Sequence, residues 1–438
     1  MGAPTFQFRV ILLATALTWS ISAIPVRAGA GLPPAAAPAA GTTPGAVPGT
    51  APGSTMDTRV ADAAERRDVA TIQSLLRQRA DVNGTQGDGA TALHWAAHWD
   101  DLDTVERLLR AGAKVNVANE YGVTPLSLAC TNRNVAIAER LLAAGADANA
   151  TLKSGETVLM TAARSGEVRI VKALLAKGAR TSAVEPTQRQ TALMWAAAEG
   201  HADVVHVLLE NGADKQAKSA TGFTPLLFAA RAGDVESIRA LLENGAAIDE
   251  AAGDGSTPLL VAVASAHEGA ARVLLERGAN PSRANDFGYA PLHATVWKPM
   301  AKEGLVRAQG SVALVEALVA RGADLNARIT QDPPPVPGTY FFQTGLVGTT
   351  PYWLAAKAGN PGVMRALAKA GADRNAPNKD GVTPLMVASG LGQTQGPGSV
   401  PEKVLVEAVR AAIELGADVN ASTGNGQTAA HAAAGLAF

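Results

Sequence analysis

His94 and His98 lie four positions apart, a spacing that places two imidazoles on one face of a helix. Two imidazoles in that arrangement bind zinc in metalloproteases, where a glutamate directly after the first histidine acts as the general base. Here Trp95 follows the first histidine. We therefore interpret the pair as structural, and it predicts neither a metal site nor hydrolysis.

Other patterns that carry chemistry are absent from the sequence. It contains no Gly-x-Ser-x-Gly nucleophile elbow, no phosphate-binding Gly-Lys-Thr loop and no cysteine set for zinc, since Cys130 is the only cysteine. His206 and His267 have no acidic or cysteine cluster beside them. The sequence therefore predicts a protein that is not an enzyme and that holds no cofactor.

His94 belongs to a tetrapeptide, Thr-Pro-Leu-x in its commonest form, that recurs along the chain. Most copies are 33 residues apart. The copies begin at Thr91, Thr124, Thr157, Thr191, Thr224, Thr257, Ala290, Thr350, Thr383 and Thr428. A period of this length predicts a solenoid, in which each unit buries its apolar face against its neighbours.

One period contains the signals for two helices. The Thr224 hydroxyl can cap a helix, and Pro225 fills the first helical position, where a missing amide hydrogen costs nothing. Gly233 separates this helix from a second one, which ends at Gly245. Apolar residues such as Leu208 precede each terminal glycine and predict the core.

Residues 191–216, TALMWAAAEGHADVVHVLLENGADKQ, resemble the ankyrin repeat at nearly every position. The resemblance extends from about residue 56 to residue 438, in about ten units of which the first and last are incomplete. It implies an all-α fold, an ankyrin-repeat solenoid of stacked helix-turn-helix units with β-turn or hairpin-like loops. It also implies that His94 supports its turn. Insertions interrupt the pattern near residues 298–311, 328–348 and 390–401.

The two ends of the repeat region depart from the pattern. Arg79 replaces the terminal glycine of the first repeat, which we interpret as a capping unit whose polar outer helix starts at Asp57 and includes Asp62 and Glu65. After His431 the chain supplies one helix without its partner. We expect that another molecule makes an end-to-end contact there, or that the chain is shortened.

The first 55 residues contain no repeat. Arg9 precedes an apolar run from Val10 to Ile24, and small residues follow, so residues 1–28 are predicted to be a signal peptide. A membrane anchor is the weaker interpretation, since the run is short for a span. Residues 29–55, rich in Pro, Ala and Gly, are predicted to be a disordered linker. We expect an exported protein, periplasmic or secreted, with no stable membrane span.

The formal net charge of −1 argues against nucleic acid as a partner, because nucleic-acid binding needs a basic patch. In the ankyrin family, partners are held by the turn tips and by two positions late in the first helix of each unit. The resemblance therefore implies a face for another protein, formed by His98, Trp99, Tyr121, Arg164, Glu199, Phe223, Arg231, Phe287, Tyr289, Trp297 and Lys298. An alternative stays open, in which the turn-tip aromatic residues only cover a neighbouring unit. Trp95, Trp195 and Phe228 are expected in the core.

These observations predict a non-catalytic protein–protein interaction scaffold in the cell envelope, which binds a partner protein through its concave ankyrin surface. A second hypothesis is a secreted effector that acts on a host or competing cell. A third, less favoured, is a ligand-binding or enzymatic role built on the inserted loops. Residues 328–348 are the best candidate for it, because Tyr340-Phe341-Phe342 is unlike a purely solvated segment.

Overall fold

The computed structural model describes residues 57–296, 311–331, 345–391 and 400–435. Within these ranges the chain forms 21 helices and no strand, and its β structure there consists of isolated bridges such as Thr151 with Thr157. Contacts divide the described residues into two compact bodies. We term residues 57–248 the N-terminal array and residues 249–435 the C-terminal array.

The helices of the N-terminal array alternate between the first and second helix of each repeat. They are α1 Arg59–Glu65, α2 Val69–Arg77, α3 Ala92–His98, α4 Leu102–Arg110, α5 Pro125–Thr131, α6 Val135–Ala143, α7 Val158–Ser165, α8 Val168–Ala176, α9 Ala192–Ala198, α10 Ala202–Glu210, α11 Pro225–Ala232 and α12 Val235–Glu243.

The C-terminal array continues the alternation. Its helices are α13 Pro258–Ala264, α14 Glu268–Glu276, α15 Pro291–Val296, α16 Val312–Ala320, α17 Pro351–Lys357, α18 Pro361–Lys369, α19 Pro384–Ala388, α20 Glu402–Glu414 and α21 Ala429–Gly435.

Threonine caps begin the first helix of most repeats. The Thr224 hydroxyl accepts a hydrogen bond from the backbone N–H of Leu227 at 3.4 Å, and Pro225 occupies the first turn of α11. Gly245 follows α12 with a φ of 82°, in the left-handed region that favours glycine. The two-helix unit predicted at Thr224 is confirmed.

The core of each array lies between successive first helices and the second helices that cover them. In the N-terminal array α9 packs on α7 and α11, and the small side chains of Ala196 and Ala197 are fully buried there. Helix α10 packs on α8, α9 and α12, and it buries Leu208 completely. The all-α solenoid of helix-turn-helix units is therefore confirmed within each array.

The first repeat differs from its prediction. It contains both helices, and α1 packs on α3 as a first helix, with Val60, Ala61, Ala63 and Ala64 buried. The segment that starts at Asp57 is therefore not an outer helix. Because α1 is a first helix, Asp62 and Glu65 occupy positions equivalent to Trp95 and His98 of the next repeat.

Hydrogen bonds fix the turns of successive repeats to one another. The Asn119 side-chain oxygen accepts from the backbone N–H groups of Tyr121 and Val123, both at 3.0 Å. The N–H of Lys153, in the next turn, donates to the Tyr121 carbonyl oxygen at 3.0 Å. Gly122 lies in this contact with a φ of 79°, and an added Cβ would be 2.7 Å from the Lys153 nitrogen. The turn tips are thereby held in register, and they position the side chains described next.

Candidate functional site

The turn tips and the ends of the first helices meet on one surface of the N-terminal array, which we call the turn-tip face. In one repeat, turn residue Gln86 accepts a hydrogen bond from Trp95 Nε1 at 2.7 Å. In another, turn residue Glu156 pairs with Arg164 near the end of α7 at 3.2 Å. These contacts join turn residues to the first helix of the same repeat.

An aromatic cluster occupies the N-terminal end of this face. The rings of Trp95 and Trp99 are stacked, with centroids 6.3 Å apart and planes 20° apart, and the His98 ring lies 4.6 Å from that of Trp99. Trp99 remains 38% exposed, and its Nε1 donates to the Glu65 carbonyl oxygen at 3.2 Å. The Arg67 guanidinium lies 5.6 Å from the Trp99 ring centroid. His98 and Trp99 are therefore brought together at an accessible surface.

Carboxylates border the aromatic cluster. Gln86 Nε2 donates to Asp62 Oδ1 at 2.9 Å and to Glu65 Oε2 at 2.8 Å. Asp88 Oδ1 accepts from the Ala90 N–H at 2.9 Å, while its buried Oδ2 has no hydrogen-bond partner among the described residues. Asp62 and Glu65 were not predicted in the face, because the first repeat lacks the Thr-Pro-Leu signal that would have aligned it.

Arg164 is held in the middle of the face by two contacts. Its guanidinium pairs with Glu156, which is buried and also accepts a hydrogen bond from the Thr161 hydroxyl at 2.7 Å. It also lies 4.8 Å from the Trp195 ring centroid in the following repeat. Trp195 is half-buried, so its expected place in the core is wrong in part, and one face of the ring supports the arginine. Glu199 is exposed just after α9.

Arg231 lies against two phenylalanine rings at the other end of the array. Its guanidinium carbon is 5.3 Å from the Phe223 centroid and 4.9 Å from the Phe228 centroid, and the two rings meet edge to face at 5.5 Å. Burial lowers the pKa of the Arg231 guanidinium. Phe228 is buried as expected, whereas Phe223 is half-buried and both packs on α11 and contributes to the face.

Tyr121 has the most exposed aromatic side chain of the described residues, at 45%. Glu120 beside it raises the pKa of the phenol through a hydrogen bond and charge repulsion. Because the Tyr121 backbone is fixed by Asn119 and Lys153, the ring projects from a rigid turn. It thus meets the requirement of a preorganised aromatic anchor.

The predicted residues of the C-terminal array are less accessible. Phe287 and Tyr289 are half-buried, and the Tyr289 ring stacks on that of His293 with centroids 5.6 Å apart. Burial raises the pKa of Tyr289 and lowers that of His293 to about 4. Tyr289 therefore contributes to packing within its repeat. Trp297, Lys298 and the segment Tyr340-Phe341-Phe342 lie outside the described residues.

Comparison with known proteins places this architecture in a family. A family model for three ankyrin repeats matches residues 60–152, 133–219 and 215–285, which together span more than half of the chain. The chain belongs to the ankyrin-repeat family. A model for a single ankyrin repeat also matches residues 347–379.

One similar solved structure is the crystal structure of the human ASB11 ankyrin repeat domain. It is 28% identical to this ankyrin-repeat chain, with a TM-score of 0.46, and the match covers 51% of this chain and 99% of that one. A search of curated proteins found no match.

One cation of the same kind was missed by sequence reasoning. Lys357 ends α17 in the ankyrin repeat that starts at Thr350, at the position that Arg164 and Arg231 occupy in theirs. Its Nζ lies 5.7 Å from the Trp353 ring centroid, and burial lowers its pKa to about 8. Each of the three cations lies seven positions after the first residue of its tetrapeptide, so the period alone could have identified Lys357.

The histidines of the ankyrin tetrapeptides and the cysteine have structural partners or surroundings. His94 Nδ1 accepts from the Thr91 N–H at 3.1 Å, and its Nε2 lies 2.9 Å from the Val123 carbonyl oxygen, so its predicted role at the turn is confirmed. Cys130 is buried, which raises the pKa of its thiol to about 12.

In the part of the chain that the structure describes, no group of three or more His, Cys, Asp or Glu is placed to hold a metal. Likewise, no described helix is long and apolar enough to cross a membrane.

Proposed function

We propose that this chain binds a partner protein through the turn-tip face of its N-terminal array and performs no chemistry itself. Ankyrin repeats are scaffolds for protein–protein interaction, and the observation that carries the proposal for this face is its set of aromatic–cation pairs. Trp99 with Arg67, Trp195 with Arg164, and two phenylalanines with Arg231 follow one another along the array. Aromatic and arginine side chains dominate binding energy at protein interfaces.

The exposure of Trp99 and Tyr121 supports the same face. With 38% and 45% of their surfaces exposed, these two side chains leave apolar area in contact with water. A partner that buried this area would gain hydrophobic free energy. Both are held by hydrogen bonds of their own repeat or its neighbour, Trp99 through its indole N–H and Tyr121 through its backbone. The Trp99 ring and the Tyr121 backbone are thus ordered before a partner binds, which lowers the entropy cost of binding.

Capture from the native cell extract tests the proposal. Wild-type chain and a Trp99→Ala/Tyr121→Ala variant are crosslinked in parallel, and captured proteins are identified by mass spectrometry. The matched control is Val406→Ala/Ile413→Ala, which removes two exposed apolar side chains, 41% and 50% exposed, from α20 of the C-terminal array. We expect the face variant alone to lose the partner, with its helicity intact. Equal capture by all three chains would move the interface away from this face.

The site of action proposed here is the cell envelope, after export directed by residues 1–28. The support is the apolar run behind Arg9, together with small residues where a signal peptidase cuts. The alternative is a secreted effector. Fractionation separates the two, because an envelope scaffold remains in the periplasmic extract and an effector accumulates in the medium. A chain retained in the cytoplasm with its first residues intact contradicts both.

A small-ligand site is a second candidate, favoured by one cavity in the C-terminal array. A cavity of about 430 Å³ is lined by Trp353, Val382 and Leu391 together with the polar turn residues Asp380, Asn425 and Gln427. The cavity combines apolar and polar side chains, as ligand pockets do, and Leu391 belongs to the insertion at residues 390–401. A thermal shift with a metabolite panel, abolished by Gln427→Ala, would support this role. No shift with any metabolite would count against it.

A further inference from the structure

We infer that the N-terminal end of the turn-tip face binds a cationic side chain, arginine or lysine, from an extended segment of the partner protein. The inference rests on the proposed function and deepens it by naming the chemistry of the partner. The patch consists of the exposed Trp99 indole, the buried Trp95 ring stacked on it, and the carboxylates of Asp62 and Glu65, and we call it the indole–carboxylate patch.

The indoles supply the first half of the argument. Trp95 and Trp99 are nearly parallel, 20° apart, and Trp99 keeps 38% of its surface in solvent. The face of an indole attracts a cation more strongly than that of any other side chain. Arg67 already places a guanidinium 5.6 Å from the Trp99 centroid, although its backbone has a φ of 58° in the left-handed region. The ring therefore already carries one guanidinium, which a partner cation would have to displace.

The carboxylates supply the second half. One amide nitrogen, Gln86 Nε2, donates to both Asp62 and Glu65, which holds the two acids next to the Trp95 indole that Gln86 also binds. Charge–charge attraction and charge-assisted hydrogen bonds therefore favour a cation at this end of the face.

The charges around the indole–carboxylate patch favour a cation over an anion as its ligand. Three arginines lie nearby: Arg59 of α1 pairs with Asp57 at 2.8 Å, Arg66 is exposed beside Asp68, and Arg67 lies over Trp99. Glu120, in the following turn, adds negative charge.

The test uses the full chain and a dye-labelled Gly-Ser peptide that contains two arginines, read by fluorescence anisotropy. Companion peptides replace the arginines with lysine, with the neutral analogue citrulline or with glutamate. We expect the arginine and lysine peptides to bind, more weakly as salt rises, and the citrulline and glutamate peptides not to bind. The tighter of the two cationic peptides identifies the preferred side chain. Equal binding of the citrulline peptide would overturn the inference.

Variants locate the binding. Glu65→Gln and Trp99→Ala are each expected to weaken the cationic peptide about two- to fivefold, and Trp99→Phe to restore part of the loss. Glu106→Gln is the matched control, since it removes an equal charge from the exposed Glu106–Arg110 pair on α4. An unchanged affinity in Glu65→Gln, or an equal loss in Glu106→Gln, would contradict the patch.

Capture of the native partner separates this inference from the proposed function. If the wild type captures a partner, and Glu65→Gln captures it equally well while Trp99→Ala/Tyr121→Ala does not, the face stands and the cationic segment is wrong. If peptide binding follows the patch but capture survives the loss of both aromatic residues, the patch stands and the proposed interface is wrong.

Discussion

Arg164 and Arg231 occupy equivalent positions but are held by different partners. Arg164 pairs with the buried carboxylate of Glu156 and lies on Trp195, whereas Arg231 rests on Phe223 and Phe228. The first arginine is therefore part of a charge pair that is costly to break, because removal of one partner leaves the other charge in a poorly solvated place. The second depends on ring contacts, and burial lowers its pKa.

Arg164→Met is predicted to destabilise the N-terminal array by about 1 to 3 kcal/mol, since it leaves Glu156 buried without its cation. This figure is moderate because the arginine side chain remains 31% exposed to water. Adding Glu156→Gln should restore most of the loss. Denaturant unfolding of both single variants and the double variant measures the coupling. Purely additive losses in the double variant would show that the pair does not act as a unit.

His293 is predicted to make the C-terminal array sensitive to acid. Burial lowers its pKa from 6.5 to about 4, so between these values the unfolded chain binds a proton that the folded chain excludes. The free energy of unfolding must therefore fall as pH drops from 6.5 towards 4, by roughly 3 kcal/mol for this group, and is insensitive to it above 6.5.

The matched variant is His293→Met, because Met160 and Met194 fill the same position, fully buried, in other repeats. Denaturant unfolding at pH 7 and pH 4.5 is compared for the wild type and the variant. The variant should lose less stability on acidification, even if it is less stable at pH 7 without the Ala290 hydrogen bond to the imidazole. Parallel losses in the two chains would rule His293 out as the source.

At the scale of elements, the turns determine the registration of the repeats. Several tips donate a backbone hydrogen bond to the tip before them, such as Ala220 N–H to the Gln188 carbonyl oxygen at 2.7 Å. Arg189, beside that bond, has a φ of 55° where most turns have glycine. Arg79 and Arg189 therefore replace glycine at positions where the backbone is left-handed. A side chain is tolerated there at some cost in free energy.

Gly122→Ala is predicted to destabilise the N-terminal array more than Gly112→Ala. Both glycines have positive φ, 79° and 87°, so both substitutions carry the left-handed penalty of about 1 kcal/mol. At Gly122 the new Cβ also meets the Lys153 nitrogen at 2.7 Å, whereas at Gly112 it meets nothing within 4 Å. Thermal unfolding of the two variants isolates the contact between turns. Equal losses of stability would mean that the contact between Gly122 and the Lys153 turn relaxes around the new Cβ at no cost in free energy.

At the scale of the molecule, the 33-residue period accounts for what was predictable and for what was not. It located the paired helices, the capping threonines and the buried leucines, because each follows from spacing within one repeat. It did not reveal that Glu156 pairs with Arg164, since turn residues are not constrained by the period. It also missed Asp62 and Glu65, whose repeat lacks the tetrapeptide. Contacts between repeats, such as Arg164 on Trp195, require the registration that only the structure gives.

Nearest-neighbour packing predicts that damage in one repeat stays local. Leu208 is fully buried in α10, which packs on α8, α9 and α12, so Leu208→Ala should cost about 2 to 5 kcal/mol. In a solenoid that loss is transmitted through adjoining repeats and weakens with distance. Hydrogen exchange read by mass spectrometry should show lost protection in α8 to α12 and unchanged protection in the C-terminal array from α17 onwards. Leu209→Ala, at a half-buried position, is the control and should lose less. Uniform loss of protection through both arrays would mean that the chain unfolds as one cooperative unit, and the stability of the turn-tip face would then depend on every repeat.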